Sequence, residues 1–211
     1  MKIEYLHGGP EFSSTDYLAP SFIAFFVFFF VFLLTSVSFL RERMRGTMVR
    51  LLASPITRAE TILGYMLGFS IFALVQSSLV LLFVIYVLKV HYLGNISIVL
   101  LVELILTVGA VNLGIFASTF AKNELQVVQF MPLMIVPQVL LSGMLIPLET
   151  MPPILQKLSY AIPLMYANTA MKAVMVKGYN LSQVWPELMV LAGFAILLTV
   201  GSAAALRRQT D

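Results

Sequence analysis

Hydrophobic residues fall into five long runs along the chain, separated by short polar or interrupted stretches. An α-helix needs about 20 mainly apolar residues to cross the hydrocarbon core of a bilayer. The runs therefore predict five spans, over residues 21–40, 61–88, 96–120, 125–146 and 185–206. We expect an all-α integral membrane protein, in which residues 1–20 are a polar lead-in and residues 21–211 form one transmembrane domain.

The segment between the last two spans, residues 147–184, has a different pattern. It is too long for a simple hairpin loop, and prolines cut it into short apolar pieces. Irregular backbone at membrane depth is tolerated only where protein or a wet cavity surrounds it. The pattern predicts short re-entrant or interfacial helices before the last span.

Basic residues are unevenly divided between the two ends of the predicted spans. One end carries every arginine of the chain. Because cytoplasmic loops are enriched in lysine and arginine, this end is predicted to be cytoplasmic. The N-terminus is then outside, the C-terminus is cytoplasmic, and the protein is expected in the plasma membrane. The basic residues of this end are Arg41, Arg43, Arg45, Arg50, Arg58, Lys122, Arg207 and Arg208.

Composition supports the membrane class and narrows the chemistry. The chain is 60% hydrophobic and only 11% charged, and it contains no cysteine. Disulfides, thiolate metal sites and a cysteine nucleophile are therefore excluded. The sequence has no GxxxxGK[ST] phosphate-binding loop and no HExxH zinc motif. We expect no enzyme activity in this chain, no cofactor, no metal and no nucleic-acid partner.

Several polar or helix-breaking residues lie inside the predicted spans. Polar side chains in hydrocarbon are costly and mark candidate transport pathways. Pro132 and Pro137 interrupt the fourth span, which favours an interior position over a lipid-facing one. The alternative is that these residues have structural partners. The candidate pathway-lining residues are Glu103, Asn112, Gln129 and Gln138.

Besides its basic residues, the loop over residues 41–60 has apolar positions and helix signals. If its first part is helical, an apolar stripe runs through Met44, Met48, Leu51 and Leu52. Pro55 would end that helix, and residues 57–60 match a capping box at the start of the second span. Two interpretations remain open from the residues alone: a basic anchor at the membrane surface, or a docking helix.

Two separated motifs resemble the permease subunits of ABC transporters of the type-2 exporter class. The first comprises Glu42, Arg43, Gly46, Thr47, Leu51, Ser54 and Pro55, followed by Gly64 and Tyr65. The second comprises Ser142, Gly143, Pro147, Met151, Pro152, Leu155, Pro163 and Tyr166, leading to Lys172. The order of spans and loops is also similar to that family from about residue 17 onward.

The resemblance implies roles for both motifs. The first would be the coupling helix that seats in a cleft of a cytoplasmic ATPase, and the second would form the pair of short outer helices. Implied partners are that ABC ATPase, a second permease copy and the lipid bilayer. Family members usually have six spans, and many have an outer domain, so the resemblance implies that the first span and that domain are missing from this pattern. Lys172 stands where many members have arginine.

The expected function is the membrane permease of an ATP-driven exporter that moves a hydrophobic or amphiphilic substrate outward. A non-transporting accessory subunit or a truncated permease is the alternative, because the first span is missing from the pattern. A membrane-embedded enzyme that uses Glu103 is a further alternative, for which the sequence offers no second catalytic group at the same depth.

Overall fold

The computed structural model describes residues 13–46 and 56–207, and all secondary structure in these ranges is helical. Five of the helices are long and apolar enough to cross a membrane, which confirms the predicted all-α architecture with five spans. The elements are α1 (Ser14–Met44), α2 (Arg58–Leu82) with a π-helical extension (Phe83–Val87), α3 (Ile96–Phe120), α4 (Glu124–Leu141), a 3-10 turn (Leu148–Thr150), α5 (Pro153–Ser159), α6 (Pro163–Lys177) and α7 (Leu181–Arg207).

Helix α3 is the centre of the molecule, because it packs against α1, α2, α6 and α7. Its buried residues include Val102, Leu106, Ala110 and Ile115, spaced by three to five positions so that several helices are contacted at once. Helices α3 and α1 approach each other closely at Gly114, where a Cβ atom would lie 3.0 Å from the backbone oxygen of Phe32 on α1. Glycine lets these two backbones pack closely.

Helix α1 begins at Ser14, earlier than the predicted start at residue 21. Ser13 and Asp16 form a capping box: the Ser13 hydroxyl accepts from the Asp16 amide at 3.3 Å, and the Ser13 amide donates to the Asp16 carboxylate at 2.7 Å. Pro20 lies inside α1, because the cap satisfies the first amides one and a half turns earlier.

At its other end α1 continues into the arginine-rich stretch and stops at Met44. Gly46 follows with φ of +70°, a left-handed conformation that ends the helix. Met44, the first member of the predicted apolar stripe, is thus the last residue of the first span helix, and the stripe itself stays a prediction. Met48, Leu51 and Leu52 lie outside the described residues.

The predicted capping box at the start of α2 is confirmed. The Thr57 amide and hydroxyl donate to the Glu60 carboxylate at 2.6 and 2.8 Å, and the Thr57 hydroxyl accepts from the Glu60 amide at 3.3 Å. These hydrogen bonds to the charged form lower the pKa of Glu60. The second span therefore starts from an ordered, charge-assisted cap at the arginine-rich end.

The segment between the last two spans forms two short helices of different kinds. Helix α5 is mostly exposed, whereas α6 is buried along most of its length and contacts α1, α3 and α7. At 1.5 Å per residue, α6 is about 22 Å long, which is too short to cross a bilayer. It therefore enters the helix bundle and turns back at Gly178, whose φ is +69°.

The fourth span is shorter than predicted. Helix α4 ends at Leu141, whereas the apolar run continues to Ile146. Gly143 has φ of +72°, and a Cβ atom there would lie 3.1 Å from Leu148. The left-handed glycine turns the chain toward the 3-10 turn, so the last apolar residues of the run belong to a loop.

Candidate functional site

The first candidate site lies where α1 leaves the bundle at its arginine-rich end. The Arg41 guanidinium donates from Nε and Nη2 to the two Glu124 oxygens at 2.7 and 2.9 Å. This is a bidentate pair, the geometry in which a planar guanidinium matches a carboxylate best. It joins the end of α1 to the start of α4. Both side chains are about half exposed, so solvent screens the pair and it contributes little to stability.

Arg43 makes a second connection, to the end of α3. Its Nη1 donates to the Thr119 carbonyl at 3.0 Å, and its Nη2 donates to the Ala121 carbonyl. The last carbonyls of a helix lack partners within that helix and carry partial negative charge, which a cation complements. Together, Arg41 and Arg43 attach the α1 end to the turn between α3 and α4. We call this set the arginine clamp: Arg41, Arg43, Thr119, Ala121 and Glu124.

Only some of the predicted coupling residues lie in the part of the chain that the structure describes. Glu42 and Arg43 lie in the last turn of α1, and Gly46 forms the turn that ends it. Glu42 and Glu60 also line a groove of about 600 Å³ between α1 and α2. Thr47, Leu51, Ser54 and Pro55 lie outside the described residues. Coupling to an ATPase stays a prediction for the whole set.

Among the candidate pathway residues, Asn112 lies in a polar network between α3 and α7. Its Nδ2 donates to the Val108 carbonyl at 2.8 Å and to the Thr199 hydroxyl at 2.9 Å, and its Oδ1 accepts from the Ser202 hydroxyl at 2.8 Å. The side chain is fully buried inside the subunit. This geometry indicates that Asn112 joins two helices.

Glu103 is the unusual polar residue of α3. It is 1% exposed, and neither carboxyl oxygen has a hydrogen-bond partner among the described residues. The Thr107 hydroxyl, one turn further along α3, also has none in the same part of the chain. Buried oxygens without partners are costly, which keeps Glu103 a candidate functional residue.

The two glutamines of α4 have different surroundings. Gln138 is 7% exposed, and its Oε1 accepts from the Leu164 amide at 3.3 Å. Helix α6 starts at Pro163, and the first amides of a helix have no partner within it. Gln138 therefore provides an acceptor for one of these amides. Gln129 is exposed on the outer face of α4. Roles in a pathway stay predictions for both.

The second predicted motif comes together at the end of the bundle opposite the arginine clamp. The Ser142 carbonyl accepts from Asn168 Nδ2, and the Gly143 carbonyl accepts from Lys172 Nζ, both at 2.8 Å. Pro152 and Pro163 lie at the starts of α5 and α6, and the Tyr166 hydroxyl donates to the Tyr160 carbonyl at 3.0 Å. Pro147 precedes the 3-10 turn.

Asn168 was not identified from the sequence as part of this motif. It lies four residues before Lys172 on α6, so both side chains extend from the same face of the helix. The signal available in the sequence was this pair of polar residues at helical spacing on an otherwise apolar helix. Together the two side chains hold the turn that follows α4 against α6.

The architecture is that of a multi-pass membrane domain of the transporter type. It combines five apolar helices, a re-entrant helix and a basic segment clamped at one end. The chain belongs to the ABC-2 type transporter family, whose model matches residues 4–176. This confirms the resemblance seen in the motifs. The chain is therefore a membrane domain of a transporter.

Known relatives share a similar degree of identity. The chain is 30% identical over 206 residues to ABC transporter G family member 20 of Dictyostelium discoideum, covering 97% of this chain and 28% of that protein. It is 30% identical over 188 residues to the probable multidrug ABC transporter permease YbhR of Escherichia coli K12, covering 89% of this chain. Inner membrane transport permease YhhJ of the same organism is 29% identical over 171 residues. The chain spans 50% of the length of YbhR and 44% of that of YhhJ.

Proposed function

We propose that this chain is the permease of an ATP-driven ABC exporter in the plasma membrane, energised by a separate ATPase subunit and paired with a second permease copy. Family membership supports a transporter membrane subunit, and the name of YbhR, a probable multidrug permease, supports drug-like cargo. The apolar, uncharged spans favour hydrophobic or amphiphilic compounds among such cargo. The sequence contains no ATP-binding motif, which supports ATP hydrolysis by a partner. The arginine-rich end is cytoplasmic, and cargo leaves at the opposite end.

The arginine clamp is the observation that carries this proposal. A docking segment can move a membrane domain only if it is attached to more than one helix of that domain. Arg41 and Arg43 join the start of the segment to the ends of α3 and α4, and α2 starts from a capped turn at its far side. Movement of an ATPase against this segment is thereby transmitted to α1, α2, α3 and α4 together.

The test is a charge exchange across the clamp. The permease is expressed with an ABC ATPase of the same organism, co-purified, and reconstituted for ATP hydrolysis measurements with hydrophobic dyes as transport substrates. Arg41→Glu places two carboxylates together and is expected to lower dye-stimulated hydrolysis about fivefold. Arg41→Glu with Glu124→Arg restores the pair with reversed polarity, so stimulation is expected to return.

Two controls accompany the test. Co-purification of the ATPase shows whether each variant still binds it, and Gly193→Ala shows whether a substitution outside the clamp affects hydrolysis. A Cβ atom at Gly193 meets nothing within 4 Å, so this variant should behave as the wild type. The proposal fails if no ATPase co-purifies with the wild-type protein, or if dyes stimulate no hydrolysis. An accessory subunit would bind the ATPase without dye-dependent stimulation.

A further inference from the structure

Glu103 is a buried carboxyl group to which the proposed export function assigns no role. It lies seven residues after Ile96, where α3 begins, so at 1.5 Å per residue it is about 10 Å below the end of the bundle opposite the arginine clamp. The residue is 1% exposed, and neither carboxyl oxygen has a hydrogen-bond partner within residues 13–46 and 56–207. A titratable group in a membrane span is costly to keep, which makes it a functional candidate.

Two buried hydroxyl groups lie near the level of Glu103. Thr107 is one turn further along α3, and residues four apart on a helix are neighbours on its surface. Helices α1 and α3 both begin at the end opposite the arginine clamp, and Gly114 of α3 lies against Phe32 of α1. Glu103 and Ser21 each lie 11 residues before these two contact positions, which is about three helical turns. Ser21 is therefore on the face of α1 that meets α3, at the level of Glu103.

The hydroxyl groups can serve a neutral carboxyl group but cannot neutralise a charged one. Ser21 is 2% exposed and Thr107 is 1% exposed, and neither hydroxyl oxygen has a hydrogen-bond partner in the described part of the chain. A hydroxyl group can donate and accept, and a protonated carboxyl group adds an O–H donor of its own. Protonation therefore gives Glu103 a donor for this otherwise unpaired set.

Opposite charge is not supplied to Glu103 by the helices that pack against α3. The outer half of α2 carries no ionisable residue, and Glu187 on α7 is itself acidic. On α1, the Asp16 carboxylate accepts from Ser13 and from the His91 amide. The ionisable groups of α6 have other contacts: Tyr166 donates to the Tyr160 carbonyl, Lys172 donates to the Gly143 carbonyl beside the Tyr17 ring, and Lys177 lies over the Tyr179 ring.

An ionised carboxylate in apolar surroundings without a countercharge is so costly that the group takes up a proton instead. We propose that Glu103 is a proton-binding site, which holds a proton while α1 and α3 are packed and releases it to water when water reaches this level of the bundle. The packed and hydrated states then differ in their affinity for one proton, so proton release and opening of the bundle favour each other. This inference goes beyond the proposed export function and requires neither an ATPase nor cargo.

Infrared spectroscopy of the full chain, purified in detergent, tests the proposal directly, because the C=O group of a carboxylic acid absorbs apart from a carboxylate. Glutamate in water titrates near about pH 4.3, so a hydrated carboxyl group is ionised at neutral pH. We expect a carboxylic acid band at neutral pH that is lost in Glu103→Gln. The matched control is Glu60→Gln, which removes a carboxylate held in its charged form by Thr57 and should leave the band unchanged.

Leu106→Ala tests whether hydration controls the proton. Leu106 is fully buried and lies three residues after Glu103, so its truncation opens space beside the carboxyl group that water can enter. The band should then be lost at lower pH, with the proton affinity weakened at least about threefold. Leu197→Ala makes the same substitution on the exposed face of α7 and should titrate as the wild type. If Leu106→Ala does not fold, Leu106→Val makes the same comparison with a smaller cavity.

Three results would overturn the proposal. Glu103→Gln could leave the carboxylic acid band at neutral pH intact, which would mean that Glu103 is ionised in the packed bundle. The folded Leu106 variant could titrate as the wild type does, which would separate the proton from hydration. Loss of the band when sodium replaces choline in the buffer would assign the site to a metal cation.

Discussion

Asn112 shows how much one polar residue can do inside a membrane domain. Its amide donates two hydrogen bonds and accepts one, which joins two turns of α3 and α7 across the centre of the bundle. Polar residues in spans are usually read as marks of a transport pathway. Here all three contacts lie inside one subunit, so stability is the property that the residue controls most directly.

Replacement of Asn112 by leucine should therefore destabilise the protein. The variant keeps the branched shape and the number of side-chain heavy atoms and loses the three hydrogen bonds, which predicts a loss of about 1–2 kcal/mol. Unfolding in mixed micelles with increasing SDS measures it. Gln129→Leu, on the exposed face of α4, is the matched control and should change stability by less than about 0.5 kcal/mol. Equal losses in the two variants would contradict a structural role for Asn112.

At the scale of helices, Gly68 and Gly114 differ in how closely a neighbouring helix packs against them. Replacement by alanine should therefore have opposite effects on stability at the two positions. Both lie inside helices, where alanine is favoured over glycine by about 0.5–1 kcal/mol. A Cβ atom at Gly68 meets nothing within 4 Å, whereas one at Gly114 lies 3.0 Å from Phe32 and Thr35 atoms of α1. Helix packing therefore decides the sign.

Gly68→Ala is expected to stabilise the purified protein by about 0.5–1 kcal/mol, and Gly114→Ala to destabilise it by about 1–3 kcal/mol. Thermal unfolding in detergent, followed by tryptophan fluorescence, compares the two. A loss of stability in Gly68→Ala would contradict the open face of α2 and would mean that a second surface covers it. Unchanged stability in Gly114→Ala would show that α1 and α3 separate easily.

Most of the helices could be predicted from the sequence, whereas helix ends and contacts between individual residues could be predicted less well. Apolar runs of about 20 residues are a strong signal, so all five spans were found, and the T-x-x-E pattern identified the cap of α2. Helix ends were less certain, since Asp16 in the N-terminal cap lies before the apolar run and Gly143 ends α4 inside one. Contacts between distant residues, such as Arg41 with Glu124, leave no periodic signal in a single sequence.

At the scale of the whole molecule, orientation in the membrane is the property that most needs a direct measurement. The chain contains no cysteine, so single cysteines can be introduced without background labelling. Lys122 lies in the turn at the arginine clamp, and Lys157 lies on α5 at the opposite end; both side chains are exposed. They are therefore matched reporters for the two ends.

In intact cells, a membrane-impermeant maleimide should label Lys157→Cys and leave Lys122→Cys unlabelled until the membrane is permeabilised. The physical reason is the enrichment of arginine in cytoplasmic segments. The labelled fraction of each variant is measured on gels. Labelling of the denatured protein defines full reactivity. The reverse pattern would invert the proposed orientation and, with it, the cytoplasmic docking of an ATPase.

The arginine clamp also has a consequence for biosynthesis. Arg41 and Glu124 are separated by 83 positions, and Arg43 and Ala121 by 78. A chain made from its N-terminus must insert α1, α2 and α3 before the carbonyls of the α3–α4 turn and the Glu124 carboxylate exist. The end of α1 therefore reaches its clamped position only after α1, α2 and α3 have been synthesised, so the contacts of Arg41 and Arg43 form late in the assembly of the bundle.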